Sequence, residues 1–251
     1  MLQVEHHDEV AVLRMEHGKV NAMDLELLVA LRRAIGELAG HPLVLTGSGS
    51  CFSAGVDLRR VVDGGAAYTE QFLAELTAVF LATFRHRRPV VAAVNGHALA
   101  GGCVLALAAD LRLMAGGSIG LTELQVGVPF PTAAVEIVRY AVGPVAPRLA
   151  FTGEVLEPAR AERLGLVHER CDMADLITTA VTRGRQMAGG RAEAYAATKR
   201  QLHADAERAI ARDSPTDDAE VLRQWTSEDG RTAIAAFLDQ LAAARERSIA
   251  R

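Results

Sequence analysis

Apolar and polar positions change period several times along the chain, and each change marks an element. LQVEHHDEVAVLRME, residues 2–16, alternates on both sides of His6-His7-Asp8 and predicts two short strands. Asp24 then stands as an N-cap before Leu27, Leu28, Leu31, Ile35 and Leu38, which recur at helical spacing. HPLVLT, residues 41–46, predicts a short buried strand that runs into the small-residue loop 47–50. Residues 70–84 predict a second amphipathic helix, PVVAAV at 89–94 another buried strand, and 101–109 a third helix. LRLMA (111–115) and IGLTEL (119–124) predict strands.

From Ala133 onward the strand signal nearly disappears. Helices are predicted at 133–141, 158–164, 173–188, 192–211, 216–225 and 229–246. Strands alternating with helices imply an α/β core with its loops at the strand ends. The change near 130–150 separates that core from an all-helical tail, packed on the core or on a neighbouring subunit.

Composition narrows the function classes. The chain has 251 residues, half of them apolar and 23% charged, which excludes a disordered or fibrous chain. A net charge of −4 gives no electrostatic reason to expect nucleic acid or an anionic membrane surface as a partner. The three cysteines lack CxxC spacing, so reduced thiols and a cytoplasmic location are expected rather than disulfides or a zinc site. MLQVEHHDEV lacks the basic-then-apolar order of a signal peptide. The apolar stretch 89–109 approaches spanning length, but Asn95, His97 and three glycines favour a buried strand followed by a buried helix.

Several segments invite chemistry. Gly47-Ser48-Gly49 follows a strand, yet Phe52 stands where a dinucleotide fingerprint needs its third glycine. Gly116-Gly117-Ser118-Ile119-Gly120 matches the nucleophile-elbow spacing, with Asp172 and His203 downstream in hydrolase order, but an extended segment comes next where the elbow needs a helix. His6, His7, His41, His86, His97, His168 and His203 do not fall at i, i+4 helix spacing with carboxylates, so no metal site is expected. Glu123 lies between apolar residues just before a Gly-Pro loop. It is either a satisfied structural charge or an acid/base whose pKa burial would raise. Residues 95–103, NGHALAGGC, form a strand end feeding a helix through small residues. That reads either as close packing or as a helix N-terminus whose free N–H groups face a polarised oxygen.

Four blocks in order carry a resemblance to the enoyl-CoA hydratase/isomerase family, the crotonase superfamily. They are VNAMDLELL (20–28), GSGSCFSAGVDL (47–58), PVVAAVNGHALAGGCVLALAADLRLM (89–114) and SIGLTELQVGV (118–128). TKRQL (198–202) and SEDGRTAIAAFLDQ (227–240) are similar to its C-terminal helices. The resemblance implies an α/β spiral of β-β-α repeats over 1–195 and a helical oligomerisation region over 196–251. It also implies a homotrimer or a hexamer of two trimers, and an acyl-CoA thioester as substrate, with no metal or redox cofactor.

By the same match the backbone N–H groups of Val56 and Gly101 would form an oxyanion hole for the thioester enolate. Met23, Ser53, Ala54, Asp57 and Leu58 would line the CoA channel. Hydratases of the family use two glutamates: the second matches Glu123, while the position of the first is Val104. The family's Δ3-Δ2-enoyl-CoA isomerases keep the second alone, so isomerisation is the expected reaction, with hydration or another lyase reaction, or an idle CoA binder, as alternatives. Glu136, at the end of GVPFPTAAVE, whose loop is stiffened by Pro129 and Pro131, is a possible second carboxylate or a helix-start charge. The basic residue that often ends the family's AFxxK element is Gln240 here, leaving Lys199 or nearby arginines to meet CoA phosphates.

Overall fold

The structure is a computed structural model that describes residues 1–249, with side chains described through residue 243. Its first half runs β1 (Leu2–His7), β2 (Val10–Met15), α1 (Leu25–Glu37), β3 (Leu43–Thr46), β4 (Cys51–Ser53), α2 (Leu58–Phe84), β5 (Val90–Val94), β6 (His97–Leu99), α3 (Gly101–Leu107) and β7 (Leu111–Met114). The second half runs β8 (Ile119–Gly120), α4 (Glu123–Val126), α5 (Thr132–Val142), α6 (Ala146–Thr152), β9 (Val155–Leu156), α7 (Pro158–Arg163), β10 (Glu169–Arg170), α8 (Leu176–Ala188), α9 (Ala192–Thr226) and α10 (Glu228–Ile249).

Two sheets organise these elements. The larger has the order β1-β2-β3-β5-β7-β10, antiparallel only in the β1–β2 hairpin. Its central strands are buried on both faces, as a helix-covered parallel sheet requires. Leu13, Leu43, Leu45, Ala92 and Val94 point into the main core with α1, α2 and α3, whereas Val10, Val12, Val44, Val91 and Leu113 pack under α8. The smaller sheet has the order β4-β6-β8-β9, parallel except where β9 joins β8.

The α/β core and the helical C-terminal region agree with the pattern of the sequence, and the differences have local causes. IGLTEL is not one strand: only Ile119 and Gly120 pair, and Glu123 opens a one-turn helix. Residues from 133 are not simply a helical tail, because β9 joins β8 and β10 joins β7. Two-residue strands leave no period to detect. The helix predicted from residue 70 begins at Leu58, capped by Asp57, and bends at Gly65, whose φ of 69° is open to glycine. The predicted helices 192–211 and 216–225 are one helix through Pro215, carried by burial of Ala206, Ile210, Val221 and Trp225 against the core. Position 195 therefore falls inside α9. Among the described residues, no helix is long and apolar enough to cross a membrane.

Candidate active site

Three adjacent parallel strands end on one edge of the small sheet. β4 pairs with β6 and β6 with β8, all parallel. Val56, Gly101 and Glu123 come two or three positions after the last residues of these strands, Ser53, Leu99 and Gly120. The three residues are thus delivered to one edge, where open α/β sheets gather ligand-binding groups. The Ala100 N–H donates to the Gly120 carbonyl (2.9 Å), tying the entry to α3 to the segment that leads to Glu123.

The first strand end is strapped to residues 20–23. Met23 donates to the Gly55 carbonyl (2.7 Å) and accepts from the Asp57 N–H (2.9 Å), while Ala54 donates to Val20 (2.9 Å). Because Met23 takes the groups flanking Val56, the Val56 N–H is turned to the opposite side, as in any parallel bridge. Buried Asn21, at φ 49°, completes the brace. Its Nδ2 donates to the Cys51 carbonyl (3.0 Å), and its own carbonyl accepts from Ser53 Oγ (2.7 Å). Ser53 Oγ in turn accepts from the Gly55 N–H (3.1 Å).

Two glycines let the strand ends close on each other. Gly55 has φ 86°, and a Cβ there would stand 2.7 Å from the Leu99 carbonyl oxygen and 3.2 Å from the Gly101 nitrogen. A Cβ on Gly102 would collide with the Ser53 carbonyl. Gly101 opens α3 after Ala100, a non-glycine residue at φ 48°, and its N–H belongs to the unpaired first turn. Among the described residues, neither the Val56 nor the Gly101 N–H donates to a backbone acceptor. Two free donors on neighbouring strand ends can polarise one carbonyl oxygen.

Glu123 is the first residue of α4 and only 8% exposed. Its Oε2 is buried without a hydrogen-bond partner. Burial pushes the carboxyl up to about 8, against a weaker opposing effect of backbone N–H groups. It faces Cys103 of α3, whose thiol is driven far above its usual range by burial and then by Glu123. Val104, the next residue on α3, is 1% exposed and offers no polar group.

The other residues singled out in the sequence divide. Met23 and Ser53 are fully buried and hold the strand-end turn. Ala54, Asp57 and Leu58 are half-buried, and Asp57 accepts from the Arg60 N–H at the start of α2 (3.1 Å). Glu136 lies on the stripe of α5 shared with Thr132 and Tyr140. Those two meet Asp218 and His203 of α9, and Glu136 pairs with Arg139 (2.8 Å). The Arg139 pair gives Glu136 a structural partner at that seam. Lys199 is buried against Asp110 (2.8 Å), so it is not free for phosphates, while Arg200 and Gln240 are exposed. Ser118 has His97 at 2.9 Å, whereas His203, the histidine in hydrolase order, stacks on Phe84. Among the described residues, no group of three or more His, Cys, Asp or Glu could hold a metal ion. Sequence patterning alone carries no signal for the Asn21 brace, since its partners are backbone groups some 30 residues away.

The geometry has close counterparts. The family described as enoyl-CoA hydratase/isomerase matches residues 5–246. A crotonyl-CoA hydratase of Syntrophomonas wolfei is 31% identical over 182 residues, 69% of this chain and 70% of that one. A short-chain-enoyl-CoA hydratase of Clostridium acetobutylicum is 27% identical over 250 residues, 94% of each chain. The crystal structure of human mitochondrial delta3-delta2-enoyl-CoA isomerase is similar with a TM-score of 0.89 and 26% identity, over 97% of this chain and 98% of that one. The chain therefore belongs to the enoyl-CoA hydratase/isomerase family and has the crotonase fold.

Proposed function

We propose that this member of the family is a Δ3-Δ2-enoyl-CoA isomerase in which Glu123 is the only acid/base. The observation that carries the reading is a buried carboxyl with an unpartnered oxygen, next to an α3 that presents Cys103 and Val104 in place of a second carboxylate. The thioester oxygen would accept from Val56 N–H and Gly101 N–H. Glu123 would remove a proton from C2, the charge would spread through the dienolate to the thioester oxygen, and the same carboxyl would return the proton at C4. One base suffices because the proton leaves and re-enters the same conjugated system. Water addition, by contrast, needs a group that holds and activates water. The apolar wall at Val104 supports a water-poor site.

CoA enters as part of the substrate, along the half-buried Ala54, Asp57 and Leu58, with Met23 and Ser53 supporting that wall from beneath, and the reaction as written needs no metal or redox cofactor. The unpaired cysteines Cys51, Cys103 and Cys171 suit a reducing, cytoplasmic setting. A trimer or a dimer of trimers is supported by an exposed apolar groove of about 310 Å³ that includes Leu124, Phe130 and Phe151. Light scattering on the purified protein would give the assembly directly.

A second reading, hydration, is favoured by the names of the relatives, among them crotonyl-CoA hydratase and short-chain-enoyl-CoA hydratase. Incubation with a 3-enoyl-CoA, with products resolved by mass and retention, separates the two. Accumulation of 2-enoyl-CoA, lost in Glu123→Gln, is expected. Unchanged 3-enoyl-CoA, beside water addition to a 2-enoyl-CoA supplied directly, would replace isomerisation with hydration.

A further inference from the structure

The helix that carries Glu123 has one turn, Glu123–Val126, and no side-chain cap at its start. A single turn cannot fix its own orientation, because helix nucleation is unfavourable without tertiary support. The segment 127–131 beyond it is equally poor in internal bonds. Pro129 and Pro131 have no N–H, and only the Gly127 and Val128 N–H groups return to the Glu123 carbonyl (3.1 and 3.3 Å).

Within α4, Gln125 Nε2 donates to the Gly153 carbonyl (3.0 Å), and the segment beyond is held from about one hundred residues downstream in the chain. Trp225, 2% exposed at the end of α9, donates its Nε1–H to the Pro129 carbonyl (3.0 Å). Asp218, two turns earlier on α9, accepts from both the N–H and the hydroxyl of Thr132 (2.8 Å each), capping α5 where α5 itself has no cap. Ala233 of α10 closes on Gly127, where a Cβ would stand 3.1 Å from its own. Three contacts thus fall on residues 127, 129 and 132, and each comes from α9 or α10. The pairings at 129 and 132 are specific hydrogen bonds rather than general apolar burial.

We infer that Trp225 and Asp218 are positioning residues for the reaction, clamping the segment 127–132 so that the one-turn helix holds the Glu123 carboxyl at the strand-end edge. Neither residue touches the reacting atoms. Loss of either bond lets α4 shift about its tie at Gln125 and admits water around Glu123. A displacement on the order of 1 Å at a reacting group can cost up to about a hundredfold in rate. The inference rests on the reading of Glu123 as the base. It adds that the C-terminal helices set the base's geometry within the same chain.

The test uses the full-length protein and a 3-enoyl-CoA, with Trp225→Phe, which keeps an aromatic ring and loses the donor, and Asp218→Ala at a half-buried position. Ile210→Val, in α9 but off the clamp, serves as a packing control. In the two clamp variants kcat is expected to fall by about tenfold with KM little changed. The midpoint of kcat/KM against pH is expected to move from about 8 toward the ordinary carboxylate range, since hydration of Glu123 relieves the burial that raises it. Glu123 and Cys103 are the titratable groups that face each other there. A merely structural role would lower melting temperature in all three variants and leave the pH midpoint in place, and that result overturns the inference. Glu123→Gln keeps the two claims apart. Full activity in that variant removes the base itself, whereas an inactive Glu123→Gln beside wild-type kcat and pH profile in Trp225→Phe and Asp218→Ala removes only the clamp.

Discussion

Gly55 and Gly101 stand so close that a Cβ on the first would lie 3.2 Å from the backbone nitrogen of the second, and 2.7 Å from the Leu99 carbonyl oxygen. This approach sets the two donor N–H groups, those of Val56 and Gly101, on neighbouring strand ends. Gly55→Ala would meet both the contact and a φ of 86°. The variant is expected to lose about 10²–10³ in kcat, the scale of one lost oxyanion donor. Steady-state kinetics on the folded fraction, gated by circular dichroism, checks it. Unchanged kcat would separate the glycine from catalysis.

The raised pKa of Glu123 makes a rate prediction. The free enzyme is competent when the carboxyl is ionised, so kcat/KM should rise with pH and level off above about 8. A midpoint near the ordinary value of 4.5 would mean that the carboxyl is not held in the apolar setting described.

The same shift makes a stability prediction of definite sign. The carboxyl ionises in the unfolded chain near 4.5 and in the folded chain near 8, so the unfolded state releases its proton first as pH rises. This group therefore lowers stability progressively between those pH values and adds nothing below the lower one. Glu123→Gln removes the penalty. Its melting temperature should match wild type near pH 4 and exceed it at pH 8 to 9, by the equivalent of a few kcal/mol. Calorimetry at the two pH values decides it.

Much of this fold was legible in the chain. The buried strands 43–46 and 90–94 and the helix capped by Asp24 follow from run length, period and capping. Val56, Gly101 and Glu123 could be singled out from collinear motifs, and the structure brings all three to one edge of the small sheet. That sheet itself was hidden, because β4, β6 and β8 have three, three and two residues, too few for a period. The brace at Asn21 and the clamp from Trp225 and Asp218 were hidden for another reason. Their partners are backbone groups or distant side chains fixed only by folding. Lys199 shows the opposite case. Gln240 in place of the family's basic residue leaves Lys199 as a candidate for the phosphates, yet burial against Asp110 gives it a structural task.

That task can be measured. Lys199 is 7% exposed, and its pKa is lowered by burial despite the Asp110 charge. Lys199→Ala leaves Asp110 buried with one ionic partner fewer and should cost roughly 3–5 kcal/mol of stability. KM for the CoA thioester should stay at its wild-type value. A large rise in KM with unchanged melting temperature would return Lys199 to the ligand.

The central claim is that one carboxyl carries the proton from C2 to C4 in a water-poor site. A 3-enoyl-CoA deuterated at C2, turned over in ordinary water, tests it most directly through the label at C4 of the 2-enoyl product. A sizeable share of the deuterium is expected to reappear at C4, since buried Glu123 keeps what it removes long enough to return it. Complete replacement by solvent hydrogen at C4, or turnover that survives Glu123→Gln, would contradict it.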